Sequence, residues 1–314
     1  MTYDGGAGGT TGGYFVPRVS IIIPYQRDDA RLESTLLSVL ENRPEDCEII
    51  VAHDGSYGNP YNLEDELIFV DTDSPASDVD LINAGLYAAC APVIHTLWPG
   101  ILVRADWLEE PLERLDRTDA AAVAIPIVGN DGTALPGAQL SGARGALPWK
   151  RITQPQTGAL VGPTIACGVY RRRILLALDG FLAGSALAAS LEAAWAIHEL
   201  NLPVAVSQTP VSCETSTGDL APGQSLAAVG RLAAAYGKCP SGWSAAARTL
   251  ICGLLTGQLG AAVAWTCGVT TAGRIDAVIA ERLARAAGAL AEDRPSTLSF
   301  PAQQGVQPRT RRAA

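Results

Sequence analysis

Several of the usual handles on function are missing from this chain of 314 residues. Its seven cysteines (47, 90, 167, 213, 239, 252 and 267) include no Cys-x-x-Cys pair. No cluster of His and Cys has the spacing of a zinc site. The cysteine count is odd and most of them sit in apolar surroundings, which points to buried thiols in a reducing compartment rather than a disulfide framework. Positive charge is in deficit: 23 Lys and Arg stand against 32 Asp and Glu, for a net charge of −9. A uniformly acidic protein repels phosphate backbones, so nucleic acid is set aside as a partner. The amino terminus has no basic region followed by an apolar run. A secretory signal is therefore not expected, and the expected location is the cytoplasm. No internal repeat is visible.

What is present begins with glycine. Many of the 32 glycines fall in the first 13 residues, a stretch without sizeable apolar groups. Residues 1–17 are expected to be a disordered leader. The length suits one large domain with an appendage. The expected division is an α/β domain over 18–215, an alanine-rich helical region over 216–296 and a polar, disordered tail over 297–314. Within the helical region no charged residue stands between Arg248 and Arg274, a span long enough to cross a bilayer. It contains Gly253-x-x-x-Gly257, a spacing that lets membrane helices approach closely. Gln258 and several Thr and Gly dilute its hydrophobicity. The expectation is a helix packed on the domain or lying at a membrane surface, with residues 249–273 as the contact.

From Val19 to about Arg117, short β-rich runs alternate with helical ones. Val19–Pro24 is a nearly continuous apolar run, as in a strand covered on both faces. Leu32, Leu36, Val39 and Leu40 then recur at helical spacing, and Asn42-Arg43-Pro44 closes that helix. Strands are expected at Cys47–Ala52, Glu66–Asp71 and Val93–Leu97, with a helix over Val79–Ala89. This alternation predicts an open, mostly parallel sheet flanked by helices. In such sheets ligands bind beyond the carboxyl ends of strands, where Pro24, Asp54 and Trp98 fall. Residues 120–126, 166–170 and 202–207 are further expected strands, and 187–200 a helix. Residues 127–160, rich in Gly, Pro, Gln and Thr, are expected to form a long irregular insertion able to contact an acceptor.

These runs resemble glycosyltransferase family 2, which has the GT-A fold. The family commonly reads V-S-I-I-I-P-x-Y-N, then L-x-x-T-L-x-S-V-L, then E-I-I-V-V-D-D-G-S. Here Val19–Pro24, Leu32, Thr35-Leu36, Ser38-Val39-Leu40, Glu48–Val51 and Asp54-Gly55-Ser56 match at near-normal spacing. Asn83-Ala84-Gly85-Leu86 is similar to the family's A-R-N-x-G-L helix, and Asp106-Trp107-Leu108 to the segment after its metal site. Cys167–Arg172 and Asp179-Gly180-Phe181 resemble the acceptor-side strand and the G-G-F-D turn. The match covers residues 19–207. It implies transfer of a sugar from a nucleotide diphosphate donor to a glycan or other hydroxyl acceptor, with Asp54 accepting a hydrogen bond from the base and Pro24 shaping the same pocket. The plainer reading of Asp54-Gly55 is a turn. His53, in place of the family's first Asp, suits a base contact or a structural role.

The departures bear on chemistry. The family's Asp-x-Asp should fall at 98 and 100, where Trp98 and Gly100 stand. Those carboxylates hold Mg²⁺ or Mn²⁺ against the diphosphate, which an indole and a hydrogen cannot do. No standard divalent-metal site is therefore expected. His95 reads as a buried strand residue, with a ligand role as the alternative. Ala189 and Ser190 stand where the family's base motif carries Glu and Asp, and Ile82 replaces an arginine. Glu192, on a later acidic position, is the remaining candidate base, against the reading of a solvated helical Glu. Arg171-Arg172-Arg173 and Arg104 are candidate replacements for the metal's charge, and Asp71 and Asp73 a candidate displaced metal site; each also reads as ordinary surface. Three functions remain open: a glycosyltransferase, a pseudoenzyme that binds nucleotide or glycan without turnover, and an interaction scaffold whose cleft is filled by Trp98.

Overall fold

A computed structural model describes residues 16–25, 27–73, 76–135, 137–139, 160–182, 185–214, 226–237, 243–255, 259–270 and 276–292. The tail over 297–314, and the leader apart from residues 16 and 17, lie outside the described residues.

The first strand, β1 (Val19–Pro24), is buried along its whole length. Helix α1 (Asp29–Glu41) follows, and the Asp28 carboxylate caps it by accepting from the Arg31 amide at 3.1 Å. Leu32, Thr35, Leu36 and Val39 form its inward stripe. Then come β2 (Cys47–His53), β3 (Ile68–Asp71), α2 (Asp78–Ala88) and β4 (Val93–Leu97). After the two-residue β5 (Ile101–Leu102), α3 (Glu109–Arg117) leads into β6 (Ala122–Ala124). Short strands β7 (Ile127–Val128), β8 (Ala134–Leu135), β9 (Ala138–Gln139) and β10 (Leu160–Gly162) fall at the two ends of the expected insertion. Its residues 140–159 lie outside the described set. Then follow β11 (Cys167–Arg171), α4 (Arg172–Ala177), α5 (Ala186–Glu199), β12 (Val204–Val206) and β13 (Val211–Cys213).

Seven strands form the main sheet in the order β12-β6-β11-β4-β1-β2-β3. β11 alone runs antiparallel to its neighbours. Pro24 pairs with Ala52 on one side, and Ile22 with Thr96 on the other. The carboxyl ends of β2, β1 and β4 therefore lie side by side on one edge, about 5 Å apart from strand to strand. A second sheet, β5-β13-β7-β8, stands beside that edge. Its two- and three-residue strands are too short to show a hydrophobic period.

Two motifs of the sequence turn out to be joints. A Cβ on Gly85 would come within 2.4 Å of Ile22, so the glycine lets α2 lie close against β1. The Asn83 amide donates to the Phe181 carbonyl at 2.9 Å and accepts from the Phe181 N–H at 2.8 Å. That bidentate pair fastens α2 to the Asp179–Phe181 turn, nearly one hundred residues away.

After β13 come α6 (Leu226–Ala235), α7 (Trp243–Leu255), α8 (Leu259–Thr270) and α9 (Asp276–Glu292). α6 packs on α5, α8 on α6 and α7 on α8, while α9 lies against α4. Of the charge-free stretch, residues 249–255 lie in α7 and 259–270 in α8. No described helix is long and apolar enough to cross a membrane. Cys47, Cys167 and Cys213 are buried, as expected, whereas Cys90 and Cys267 lie at the surface.

Candidate functional site

Asp54 follows β2 directly, and its side chain is only 4% exposed. The Ser56 hydroxyl donates to Oδ1. Arg27, in the loop between β1 and α1, donates to Oδ2 through Nη2 and through Nε at 3.1 Å. These donors, Ser56 foremost and then Arg27, hold the carboxyl well below the usual carboxylate range, at about 2. The group is therefore an ionised acceptor at any physiological pH. Gly55 has φ +76°, so the Asp54-Gly55 pair makes a turn and places an acceptor at the strand end together. Pro24 closes β1 beside it, and the next amide, of Tyr25, donates to the Ala52 carbonyl at 2.8 Å.

Aromatic rings wall this corner. Tyr25 and Tyr57 have centroids 5.0 Å apart, and Tyr57 stacks on Phe69 at 5.9 Å. Tyr25 donates to Asp29 at 2.7 Å; burial and that carboxylate push its phenol up to about 12. His53 belongs to the wall. Its Nδ1 accepts from the Gly55 amide at 3.2 Å and lies 3.4 Å from Asp71 Oδ1, and its ring meets Tyr57 and Phe69 edge-on. Among the described residues, no group of three or more His, Cys, Asp or Glu is placed to hold a metal ion.

Across β1, the end of β4 carries Trp98, buried in the core, and Gly100. The Gly100 amide donates to the Thr35 hydroxyl at 2.8 Å, and its φ of +87° is one that side chains rarely adopt. A Cβ there would sit 3.5 Å from Cδ of Arg31, whose side chain lies across this position. An indole in the core and a glycine under an arginine do not fit a hard divalent cation. His95 stands in mid-strand between Ile21 and Val169 and is 0% exposed. Burial lowers its imidazole to about 3, and the ring meets Trp107 edge-on at 4.8 Å. A neutral ring in the sheet interior has no path to a ligand at the strand ends.

The basic triplet lies elsewhere. Arg171 pairs in register with Val93, the first residue of β4, so the triplet marks the edge opposite Asp54. Its guanidinium donates to the Ala120 and Leu115 carbonyls at 2.9 and 3.0 Å, which joins β11 to the end of α3. Glu192 on α5 is 0% exposed. Tyr236 donates to its Oε1 at 2.8 Å, and Arg282 of α9 reaches Oε2 at 3.2 Å and lies 3.1 Å from Oε1. Burial raises the Glu192 carboxyl, with Arg282 and Tyr236 opposing that shift. In this arrangement an acceptor hydroxyl has no access to Glu192. The expectation of a solvated helical Glu also fails, because α9 covers it.

Three residues at this edge escaped the sequence reading. Arg27 holds the position of the Asn in the P-x-Y-N pattern, which was the available signal. Arg31 carries no motif signal. Glu214 follows β13; its amide donates to the Gly100 carbonyl at 2.9 Å, so the second sheet brings an exposed carboxylate residue to the end of β4.

The strand order, the antiparallel β11 and the helical carboxyl-terminal region define a GT-A-like α/β fold. Comparison with solved structures agrees. S. aureus TarS 1–349 with UDP-GlcNAc superposes with a TM-score of 0.54 at 12% identity, over 87% of this chain and 89% of that one. The same TarS fragment with UDP gives 0.52 at 14% identity, over 87% and 88%. Against the longer S. aureus TarS chain the score is 0.50 at 16% identity, covering 77% of this chain and 43% of that one. These neighbours share the GT-A-like α/β fold. Neither a protein-family model nor a curated protein sequence matches the chain.

Proposed function

We propose that this chain is a divergent member of glycosyltransferase family 2 that binds a nucleotide-sugar donor and transfers its glycosyl group to a hydroxyl acceptor, without the family's divalent metal. The observation that carries this reading is Asp54: a nearly buried carboxylate held ionised at the end of β2, beside Pro24 and the Tyr25–Tyr57 wall. A pyrimidine or purine ring N–H is the donor that such an acceptor suits. The complexes of TarS with UDP and UDP-GlcNAc, on the same fold, support the donor class.

With Glu192 covered, the base role passes to Glu214 beside Gly100. The acceptor oxygen forms a bond to the anomeric carbon while the bond from that carbon to the diphosphate breaks. The diphosphate departs with the bonding pair, and the hydroxyl proton passes to the Glu214 carboxylate. Attack from the face opposite the leaving group inverts the anomeric centre. A second reading, binding without turnover, draws on the absence of a carboxylate at 189 and 190 and on the burial of Glu192. Release of UDP or GDP from the sugar nucleotides separates the two readings. Release that disappears in Glu214→Gln, with donor binding intact, supports transfer. Tight binding with no release in the wild type supports the pseudoenzyme.

The helical region adds a membrane-surface contact to this proposal. Ile251, Leu254 and Leu255 of α7 and Leu259 and Val263 of α8 are exposed apolar residues, with Leu255 80% exposed. Between Asp219 and Asp276 the sequence has no carboxylate, while Arg231, Lys238, Arg248 and Arg274 are basic. An apolar ridge in a locally cationic stretch of an acidic protein suits an anionic lipid surface at the cytoplasmic face.

A further inference from the structure

We propose that Arg27 and Arg31 form a metal-free subsite for the donor's diphosphate; this rests on the nucleotide reading above. Two observations meet here. First, the position that should carry a metal-binding carboxylate is overlain by the Arg31 side chain, 3.5 Å from where a Cβ on Gly100 would stand. The Gly100 amide also lies 3.2 Å from the Arg31 carbonyl, so the turn after β4 is fastened to the start of α1. Second, Arg27 stands on the other side of the β1 end, bonded to the carboxylate proposed to read the base.

The register supplies the geometry. β1 lies between β2 and β4, so Asp54 and Gly100 are separated by roughly two strand spacings, about 10 Å. A base held at Asp54 directs its ribose and phosphates across the end of β1, between the two arginines. Two guanidinium groups carry the same total charge as one divalent ion, and each can donate two parallel hydrogen bonds to phosphate oxygens.

Both arginines have partners, and these leave donors to spare. Arg27 uses Nε and Nη2 on one Asp54 oxygen, and its side chain is 60% exposed. Arg31 pairs with Asp28 through Nε at 3.2 Å, and its side chain is 37% exposed. A guanidinium has five N–H donors, so neither pair must break for phosphate to bind. The Asp54 carboxylate likewise has lone pairs beyond those taken by Arg27 and Ser56. Site and charge thus replace the metal without a rearranged fold, and Arg27 couples base recognition to phosphate recognition.

The test is calorimetric titration in EDTA with uridine, UDP, guanosine and GDP, on the full chain and on three variants. The wild type should bind one diphosphate at least tenfold more tightly than its nucleoside, and Mn²⁺ should leave that ratio unchanged. Arg31→Gln should lower the diphosphate affinity about tenfold or more while leaving the nucleoside within about twofold, as expected for loss of a charged hydrogen bond. Arg31→Lys should keep part of the affinity, and Arg27→Gln should weaken both diphosphate and nucleoside. A diphosphate no tighter than its nucleoside in EDTA, a ratio that needs Mn²⁺, or an Arg31→Gln that binds like wild type would overturn the subsite while leaving the nucleotide reading intact. Failure of all four ligands to bind would overturn the nucleotide reading and the subsite together.

Discussion

Arg282→Met is the sharpest stability test of how the helical region is attached. Arg282 and Glu192 are 7% and 0% exposed, and Arg282 also donates to the Gly180 carbonyl at 2.6 Å. The substitution keeps an unbranched side chain, so little cavity is opened. It leaves the Glu192 carboxylate buried with Tyr236 as its remaining donor among the described residues. Breaking one side of a buried ion pair costs about 3–5 kcal/mol, and the lost bond to Gly180 contributes about 1 kcal/mol of that order. Urea unfolding at neutral pH, with an unchanged slope, should show this loss. The double variant Glu192→Leu with Arg282→Met should recover most of it, because neither charge is then buried alone. A loss below about 1 kcal/mol in Arg282→Met would refute the attachment of α9 through this pair. Glu192→Gln should likewise be destabilised, yet any transfer activity per folded molecule should match wild type, which a catalytic base would not allow.

The remaining predictions concern the site and the surfaces around it. Asp54→Asn should weaken nucleoside binding by about 10- to 100-fold in titration, the value of a hydrogen bond to a charged acceptor. Because the Asp54 carboxyl titrates at about 2, nucleoside affinity should not follow its protonation between pH 5 and 8. The depressed value also means that Asp54 stabilises the fold above the usual carboxylate range, and that this stability is lost as pH falls towards 2, measurable by acid unfolding. Gly85→Ala should destabilise by about 1–2 kcal/mol in urea despite alanine's better helix propensity, since the added methyl would lie 2.4 Å from Ile22. In vesicle sedimentation the protein should pellet with anionic vesicles, and Leu254→Ser with Leu255→Ser should release it; equal binding by that variant would contradict the ridge.

The sheet was largely legible because its strands are continuous apolar runs separated by amphipathic helices. β4 falls on Val93–Leu97 as expected, and β2 extends one residue further, to His53. The family motifs told the truth about geometry before they said anything of chemistry: Asn83 and Gly85 are joints between elements. What the sequence hid depends on distance along the chain. Glu192 reads as surface on its own helix, and its burial comes from Arg282, ninety residues later. Glu214 reaches Gly100 only through a second sheet of two- and three-residue strands, too short for periodicity to reveal. Arg27 and Arg31 look like ordinary loop and helix-start residues until β1 is placed between β2 and β4. The Arg171–Arg173 triplet attracted attention by composition, and its register put it at the wrong edge.

Calorimetric titration of the wild-type protein with UDP and GDP, each in Mn²⁺ and in EDTA, tests the central claim most directly. The expected result is saturable, one-to-one binding of one of the two with the same affinity in both buffers. Binding that appears only with Mn²⁺ would contradict the metal-free site, and no binding of either nucleotide would contradict the donor site at Asp54.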